Sequence, residues 1–302
     1  MKNLFFGVLL LFSVMSLSSQ TIKVEKNYRL SGNDQKGFYP TFNVDGNLLA
    51  FTDEAYEGLN VYNFSNKSVI KVSDEPGSGW QPVFSEDGKI FYKTTVFKSQ
   101  QQYNGVKSFD LQKKIVQEVL EPRRDLKQMQ NYCNGIMVAN GRNLIKATYG
   151  KPEKAAPPYV WSDGENLNIN KSGKIEILNP VKDASGYIWA SLSPNGQMIL
   201  FNAIAAGTFV SDLKGNIIAS LGFLNAPAWY GNEFVVGMQD RDDGHVITSS
   251  IVIMKNLAGN VTKQLSDSDQ IAMYPTASAV AKKVAYNTIA GDIYILELDI
   301  TK

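Results

Sequence analysis

The densest group of side chains that could do chemistry lies in MQDRDDGHVITSS, residues 238–250. It holds Asp240, Asp242 and Asp243 beside His245, the only histidine of the chain. Oxygen ligands at alternating positions can bind calcium, but the spacing differs from the EF-hand loop, which ends in a glutamate. A solvated loop with a glycine turn is the simpler interpretation and calcium is the alternative. We therefore assign no metal site and no cofactor.

Motifs for catalysis or nucleic-acid binding are missing from the sequence. A nucleophilic triad would have to use His245, and no Gly-x-Ser-x-Gly elbow accompanies it. Cys133 is the only cysteine, which excludes an internal disulfide and indicates a buried structural thiol. The net charge is +1, with 30 basic and 29 acidic residues, so no nucleic-acid partner is expected. We assign no catalytic residue and favour a protein that is not an enzyme.

The first residues have the pattern of a secretory signal peptide. A short basic start precedes an apolar run from Leu4 to Leu17, and small residues follow at Ser18 and Ser19. This run is shorter than the ~20 apolar residues of a membrane span. We expect residues 1–19 to be removed and residues 20–302 to form a single domain, with no membrane span after cleavage.

The mature chain repeats itself. Residues 30–41, LSGNDQKGFYPT, match residues 265–276, LSDSDQIAMYPT, at seven of twelve positions. The segments YPTFNVDGNLLAF and QPVFSEDGKIFY are two further copies, 42 positions apart. A period of 20–50 residues is typical of repeat architectures. With the proline as anchor, we predict six units, which begin at the following residues: Pro40, Pro82, Gly135, Ala190, Pro227 and Pro275.

Each unit is predicted to be β. Apolar and polar residues alternate on both sides of an Asp-Gly or Asn-Gly pair, as a hairpin requires, and Gly46, Gly88 and Gly196 should have positive φ in those turns. Four antiparallel strands per unit and six units describe a six-bladed β-propeller. Only three strands are predicted from residue 274 onward, so residues 22–31 should supply the fourth strand and close the ring at the N-terminus.

The segments PTFNVDGNLLAF, PVFSEDGKIFY and LSPNGQMILF resemble the WD40-like repeats, of the PD40 type, in TolB-type propellers. The resemblance covers most of residues 39–298 and implies a bacterial envelope protein, periplasmic or secreted, whose partner is an envelope protein or a glycan. TolB itself carries an additional N-terminal α/β domain. In this sequence the signal peptide leads almost directly to the first strand.

Loop length distinguishes the two faces of the predicted ring. The first-to-second and third-to-fourth turns are short, whereas the loops and crossings on the other face are long, including residues 94–105, 148–166 and 238–250. Long loops on a rigid scaffold usually carry the binding function. We therefore expect a ligand on the long-loop face, bound by these residues: Tyr39, Trp80, Tyr103, Trp161, Asp240, Asp242 and His245.

Three functions are compatible with this pattern. The first is a non-catalytic propeller that binds a protein or a glycan. The second is a polysaccharide-acting propeller enzyme, a glycosidase or lyase, that uses carboxylates at the central mouth; such pairs lie ~5–9 Å apart in glycosidases. The third is a structural subunit of an envelope complex, so that either a monomer or a subunit is expected.

Overall fold

The computed structural model describes residues 20–30, 36–132, 135–141, 143–148 and 157–301. These residues form only β-strands and their connections. In chain order the strands are β1 Thr21–Arg29, β2 Phe38–Phe42, β3 Leu48–Thr52, β4 Leu59–Asn63, β5 Ser68–Ser73, β6 Val83–Phe84, β7 Lys89–Lys98, β8 Gln101–Asp110, β9 Val116–Arg123, β10 Leu126–Asn131, β11 Gly135–Asn140, β12 Asn143–Thr148, β13 Tyr159–Ser162, β14 Leu167–Lys171, β15 Lys174–Ile177, β16 Tyr187–Leu192, β17 Met198–Ala203, β18 Gly207–Asp212, β19 Ile217–Gly222, β20 Asn225–Tyr230, β21 Phe234–Asp242, β22 Ile247–Asn256, β23 Thr262–Gln264, β24 Ala272–Ser278, β25 Lys283–Thr288 and β26 Ile293–Thr301.

The strands build seven antiparallel sheets, the blades of a β-propeller. Blades 1 to 7 contain β2–β5, β6–β9, β10–β12, β13–β15, β16–β19, β20–β23 and, in the last blade, β24–β26 with β1. Five blades have four strands, and blades 3 and 4 have three within the described residues. Strand β2 of blade 1 contacts β24 of blade 7, so the ring is closed. The described part of the chain contains no apolar helix of membrane-spanning length.

The predicted closure by the N-terminus is confirmed. Strand β1 pairs antiparallel with β26, from Thr21 opposite Thr301 to Arg29 opposite Tyr294. The Leu30 amide extends this pairing by donating to the carbonyl oxygen of Ile293 (2.7 Å). The N-terminal strand therefore covers the edge that β26 would otherwise expose. Ser31, the end of the predicted strand, lies outside the described residues.

The turn glycines also follow the prediction. Gly46, Gly88 and Gly196 have φ values of +65°, +79° and +69°. Each donates its amide to the residue three positions earlier, for example Gly196 to the carbonyl oxygen of Ser193 at 2.8 Å. The Asp-Gly and Asn-Gly pairs therefore form the tight first turns of their blades.

The predicted number of blades was too low by one. Gly135 does not begin a blade but starts β11, the second strand of blade 3, and the presumed loop 148–166 contains β13 of blade 4. Strand β13 escaped detection because Tyr159, Val160 and Trp161 are all buried, between the core of blade 3 on one side and that of blade 5 on the other. A strand covered on both faces loses the alternation that identifies hairpins.

The core is a series of apolar layers between neighbouring blades. Between blades 5 and 6, for example, Leu200 and Val210 pack with Val235 and Ile253. Similar layers join blades 1 and 2 and blades 6 and 7. This packing holds the blades in fixed positions, so that loops from different blades can meet at the mouth of the ring.

Candidate functional site

Five blades share a strained backbone position at the start of their first strand. One residue with positive φ stands directly before the repeat anchor in each: Tyr39, Gln81, Trp189, Ala226 and Tyr274. In four of these strands the register shifts at that point, which marks a β-bulge. Such a conformation costs a residue other than glycine about 1–3 kcal/mol, and bulges re-aim side chains. Because each bulge follows an inter-blade crossing, these side chains are placed at the long-loop end of the ring.

Four aromatic rings form a continuous row, here called the aromatic row, across blades 7, 1 and 2. The distances between ring centroids are 4.6 Å from Tyr274 to Tyr39, 4.1 Å from Tyr39 to Tyr56, and 4.8 Å from Tyr56 to Trp80. Burial, followed by a hydrogen bond with Tyr39, raises the pKa of Tyr56, so its hydroxyl stays protonated at neutral pH. The row joins two bulge positions to a loop tyrosine and ends at Trp80.

A cavity of about 720 Å³ opens where Trp80 ends the row. Its walls come from the β3–β4 loop, the crossing into β6, the β7–β8 hairpin, the start of β10, the β13–β14 turn and the start of β16. The Tyr187 amide donates to the carbonyl oxygen of Gly164 (3.1 Å) and so ties the β13–β14 turn to the start of β16. This volume lies within the range of ligand pockets, roughly 300–1,000 Å³.

The cavity combines aromatic faces with polar amides. Four aromatic side chains line it: Tyr56, Trp80, Phe97 and Trp189. Four amide side chains lie among them: Gln81, Gln102, Asn104 and Gln128. Trp80 is 41% exposed, so its ring is available to a ligand. Flat apolar surfaces with hydrogen-bonding groups at their edges suit a ligand that has both an apolar face and a polar rim.

Lys93 lies in the cavity wall on β7 and is only 3% exposed. Its Nζ is 6.0 Å from the centroid of the Trp80 ring. Burial, and secondarily the charge of Lys127, lowers the pKa of Lys93 to about 7. No carboxylate of the described ranges lies close enough to raise the pKa of Lys93 again. None of the ion pairs among the described residues includes Lys93.

Two carboxylates line the cavity, Glu57 and Asp163. Burial would raise the pKa of Asp163, but hydrogen bonds from the Asn166 amide (2.7 Å), Asn168 and Glu165 hold it below its usual value. Asp163 is therefore ionised, and its oxygens are occupied by the β13–β14 turn. A group bound in this way fits the role of a structural acceptor better than that of a proton donor.

The structure brings three of the predicted site residues to the mouth of the ring. Tyr39 and Trp80 belong to the aromatic row. Asp240 is half-buried on β21, accepts a hydrogen bond from Asn225 Nδ2 (2.8 Å), and its charge contributes to the raised pKa of Tyr274. The sequence identified Tyr39 through the repeat, and the same repeat position also contains Gln81, Trp189 and Tyr274.

Trp161 requires a correction. Its side chain is 0% exposed and packs with Tyr159 and Met137 in the core between blades 3 and 4. The segment was interpreted as a loop, in which an aromatic residue would face solvent. Because it forms strand β13 instead, the Trp161 ring is an internal packing group and is not available to a ligand.

The remaining predicted residues lie apart from the cavity. Tyr103 is half-buried on β8 and faces Lys98, whose Nζ is 5.8 Å from the ring centroid, whereas its neighbours Gln102 and Asn104 line the cavity. Asp242 and His245 are exposed in the β21–β22 hairpin. In the described ranges, no three His, Cys, Asp or Glu side chains are grouped so as to hold a metal ion. Cys133 lies outside these ranges.

Comparison with known proteins identifies the fold but not a family. The sequence matches no protein-family profile, and no curated protein is similar to it. Its fold is that of the WD40 and TolB-like β-propellers. It resembles the β-propeller domain of Cps50 (Swd1) from Myceliophteria thermophila with a TM-score of 0.60 at 12% identity, over 90% of this chain and 99% of that one.

Two further solved structures are similar. The β-propeller domain of the Trilobed protease from Pyrococcus furiosus has a TM-score of 0.61 at 12% identity, over 89% of this chain and 99% of that chain. TolB from Acinetobacter baumannii has a TM-score of 0.53 at 12% identity, over 82% of this chain. The match spans 58% of the TolB chain. At these identities the similarity concerns the fold alone.

Proposed function

We propose that this protein is a non-catalytic β-propeller that binds a glycan in the cavity beside Trp80. The observation that carries the proposal is the lining of this cavity by Tyr56, Trp80 and Trp189 together with four amide side chains. A pyranose ring has an apolar C–H face, which packs on an aromatic ring, and a rim of hydroxyl groups, which pair with amides. The aromatic rings and the amides that these two parts of a sugar require are present in one cavity, whose volume suits a ligand.

The cavity supports binding better than catalysis. A glycosidase needs one carboxyl group that donates a proton and a second that acts as base or nucleophile. Asp163 is held ionised by hydrogen bonds from Glu165 and Asn166 of its own turn and from Asn168 on β14, which disfavours the donor role. His245, the only imidazole of the chain, is exposed on the β21–β22 hairpin of blade 6 and does not line the cavity.

A protein partner is the second candidate, and a different observation favours it. Large apolar side chains are exposed on connections of the long-loop face away from the cavity, including Phe223 (72% exposed), Val246 and Ile289, and Phe97 (70%) is exposed at the cavity itself. They belong to blades 2, 5, 6 and 7. Exposed apolar groups around a face often mark a protein interface. An envelope protein would then dock on the rim, and the protein would act as a subunit of a complex.

The proposal places the protein in the periplasm or outside the cell, because residues 1–19 have the pattern of a signal peptide. N-terminal sequencing of the protein recovered from the periplasm or medium tests this step. A chain that keeps residues 1–19 and stays in the cytoplasm would contradict it.

A glycan array with the purified chain from residue 20 onward tests the binding function. We expect Trp80→Ala and Trp189→Ala to reduce binding at least about tenfold, since aromatic anchors often dominate interface energy. Val280→Ala is the matched control, because Val280 is exposed on the β24–β25 turn of the opposite face. No binding to any glycan, or binding that survives both tryptophan variants, would overturn the proposal. Cleavage of a bound glycan, detected by mass spectrometry, would support the enzyme instead.

A further inference from the structure

The cavity contains a buried lysine without an anionic partner. Lys93 Nζ lies beside the Trp80 ring, the side chain is 3% exposed, and no carboxylate in the described part of the chain pairs with it. An ammonium group buried without a counter-ion is unfavourable, because it loses hydration and gains no ionic partner. The fold therefore places at the wall of an accessible cavity an amine whose charged form has no counter-ion.

The other charged groups of the cavity do not neutralise Lys93. They come from three elements packed around it: Glu57 from the β3–β4 loop, Lys127 from β10 and Asp163 from the β13–β14 turn. Asp163 already accepts hydrogen bonds from Glu165 and Asn166 of its own turn and from Asn168 on β14. Lys127 is a second cation, and its charge adds to the cost of charging Lys93. The region next to Lys93 is thus positive as well as poorly hydrated.

We propose that Lys93, assisted by Lys127, forms a subsite for an anionic group carried by the bound glycan. The group is a carboxylate, as in a uronic acid, or a sulfate or phosphate ester. This inference rests on the proposed function, since it specifies which glycans the cavity selects. Trp80 stacks against the sugar ring, and the anionic substituent of that sugar or its neighbour pairs with Lys93. The ligand supplies the counter-ion that the protein lacks.

Selection of an anion by this lysine has a characteristic pH dependence. Lys93 with a pKa of about 7 is charged below pH 7 and loses its proton above it. An anionic ligand stabilises the ammonium form and raises the pKa, so binding above pH 7 takes up a proton from solution. Affinity for acidic glycans should therefore fall about tenfold between pH 6 and pH 8. Affinity for neutral glycans should not follow this curve.

The experiment is an array that presents oligosaccharides in matched neutral and acidic forms: hexose beside uronate, and plain hexose beside its sulfate and phosphate esters. We expect the acidic forms to bind at least about tenfold more tightly at pH 6. Lys93→Gln should remove this preference, and Lys127→Gln should reduce it partly. Lys98→Gln is the control for net charge, since Lys98 lies on the same strand and does not line the cavity. The preferred substituent distinguishes uronate from ester.

The outcomes separate this inference from the proposed function. Equal binding of neutral and acidic forms, or an acidic preference that survives Lys93→Gln, overturns the anionic subsite and leaves glycan binding intact. Failure of every oligosaccharide to bind overturns the proposed function and the subsite with it. Titration calorimetry of the strongest acidic array glycan, in two buffers with different ionisation enthalpies, should register proton uptake at pH 8 that is absent in Lys93→Gln.

Discussion

Tyr39 and Tyr56 stack with their ring centroids 4.1 Å apart, and both residues have positive φ, 52° and 60°. Two strained backbone positions, one in the bulge of β2 and the other in the β3–β4 loop, thus meet through their side chains. The contact with Tyr274 on one side and Trp80 on the other extends the pair into the aromatic row. Strain of this kind persists only where the surrounding structure enforces it.

The strain at Tyr39 can be measured with a pair of variants. Tyr39→Ala and Tyr39→Gly both remove the ring, but only glycine adopts positive φ without a steric penalty. We expect Tyr39→Gly to be more stable than Tyr39→Ala by about 1 kcal/mol, from midpoints of urea unfolding. An alanine variant as stable as the glycine variant would mean that the bulge carries no strain.

Closure by the N-terminal strand predicts a large loss on truncation. Without residues 20–30, strand β26 has an open edge, and Ile22, which is buried in the core of blades 6 and 7, leaves its partners. The melting temperature and the urea midpoint should both fall. Lys23→Ala is the control, because Lys23 is exposed on the same strand. A truncated chain that unfolds at the same temperature as the intact one would refute the closure.

The turn glycines should differ in their sensitivity. A Cβ added at Gly46 would meet Ser278 and Ala281 at 2.5 Å, whereas one at Gly88 would meet nothing within 4 Å. Gly88→Ala should cost about 1 kcal/mol through positive φ alone. Gly46→Ala should cost about 1–3 kcal/mol more, because neighbouring atoms must also move. Thermal unfolding of the two variants tests the order, and equal losses would contradict it.

The sequence predicts the fold where each blade carries its own local marker. Asp45-Gly46, Asp87-Gly88 and Asn195-Gly196 identify hairpins because glycine accommodates the positive φ of a tight turn. Blades 3 and 4 also contain such pairs, Asn140-Gly141 and Asp163-Gly164, but these lie in the β11–β12 and β13–β14 turns and not in a first turn. Because Tyr159 to Trp161 are also buried on both faces, the repeat pattern and the periodicity could not separate the two sheets. The missing fourth strand after β26 was detectable by counting strands, which is why the closure was predictable and the blade number was not.

The site was predictable only in part, for a related reason. Tyr39 and Trp80 were found because they lie beside the repeat prolines and the crossings. Lys93 belongs to a strand, KIFYKTTVFK, in which its burial depends on what neighbouring blades place against it. Trp189 lies in blade 5 and Tyr56 in blade 1, and only closure of the ring brings them to one cavity. Long-range assembly of this kind leaves no local pattern.

Lys93 should weaken the fold that contains it. Its pKa is about 7 in the folded protein against an ordinary 10.5, so the unfolded chain holds the proton more firmly. Below pH 7 both states carry the charge and the penalty of burial is complete. Between pH 7 and 10.5 only the unfolded state stays protonated, so the free energy of unfolding rises with pH by about 1.4 kcal/mol per unit.

Lys93→Met should therefore stabilise the protein most below pH 7, as measured by urea unfolding at pH values from 5 to 9. Lys98→Met, on the exposed end of β7, should show no such dependence. A Lys93→Met protein that is less stable at every pH would indicate that Lys93 supports the fold and is not held for a ligand.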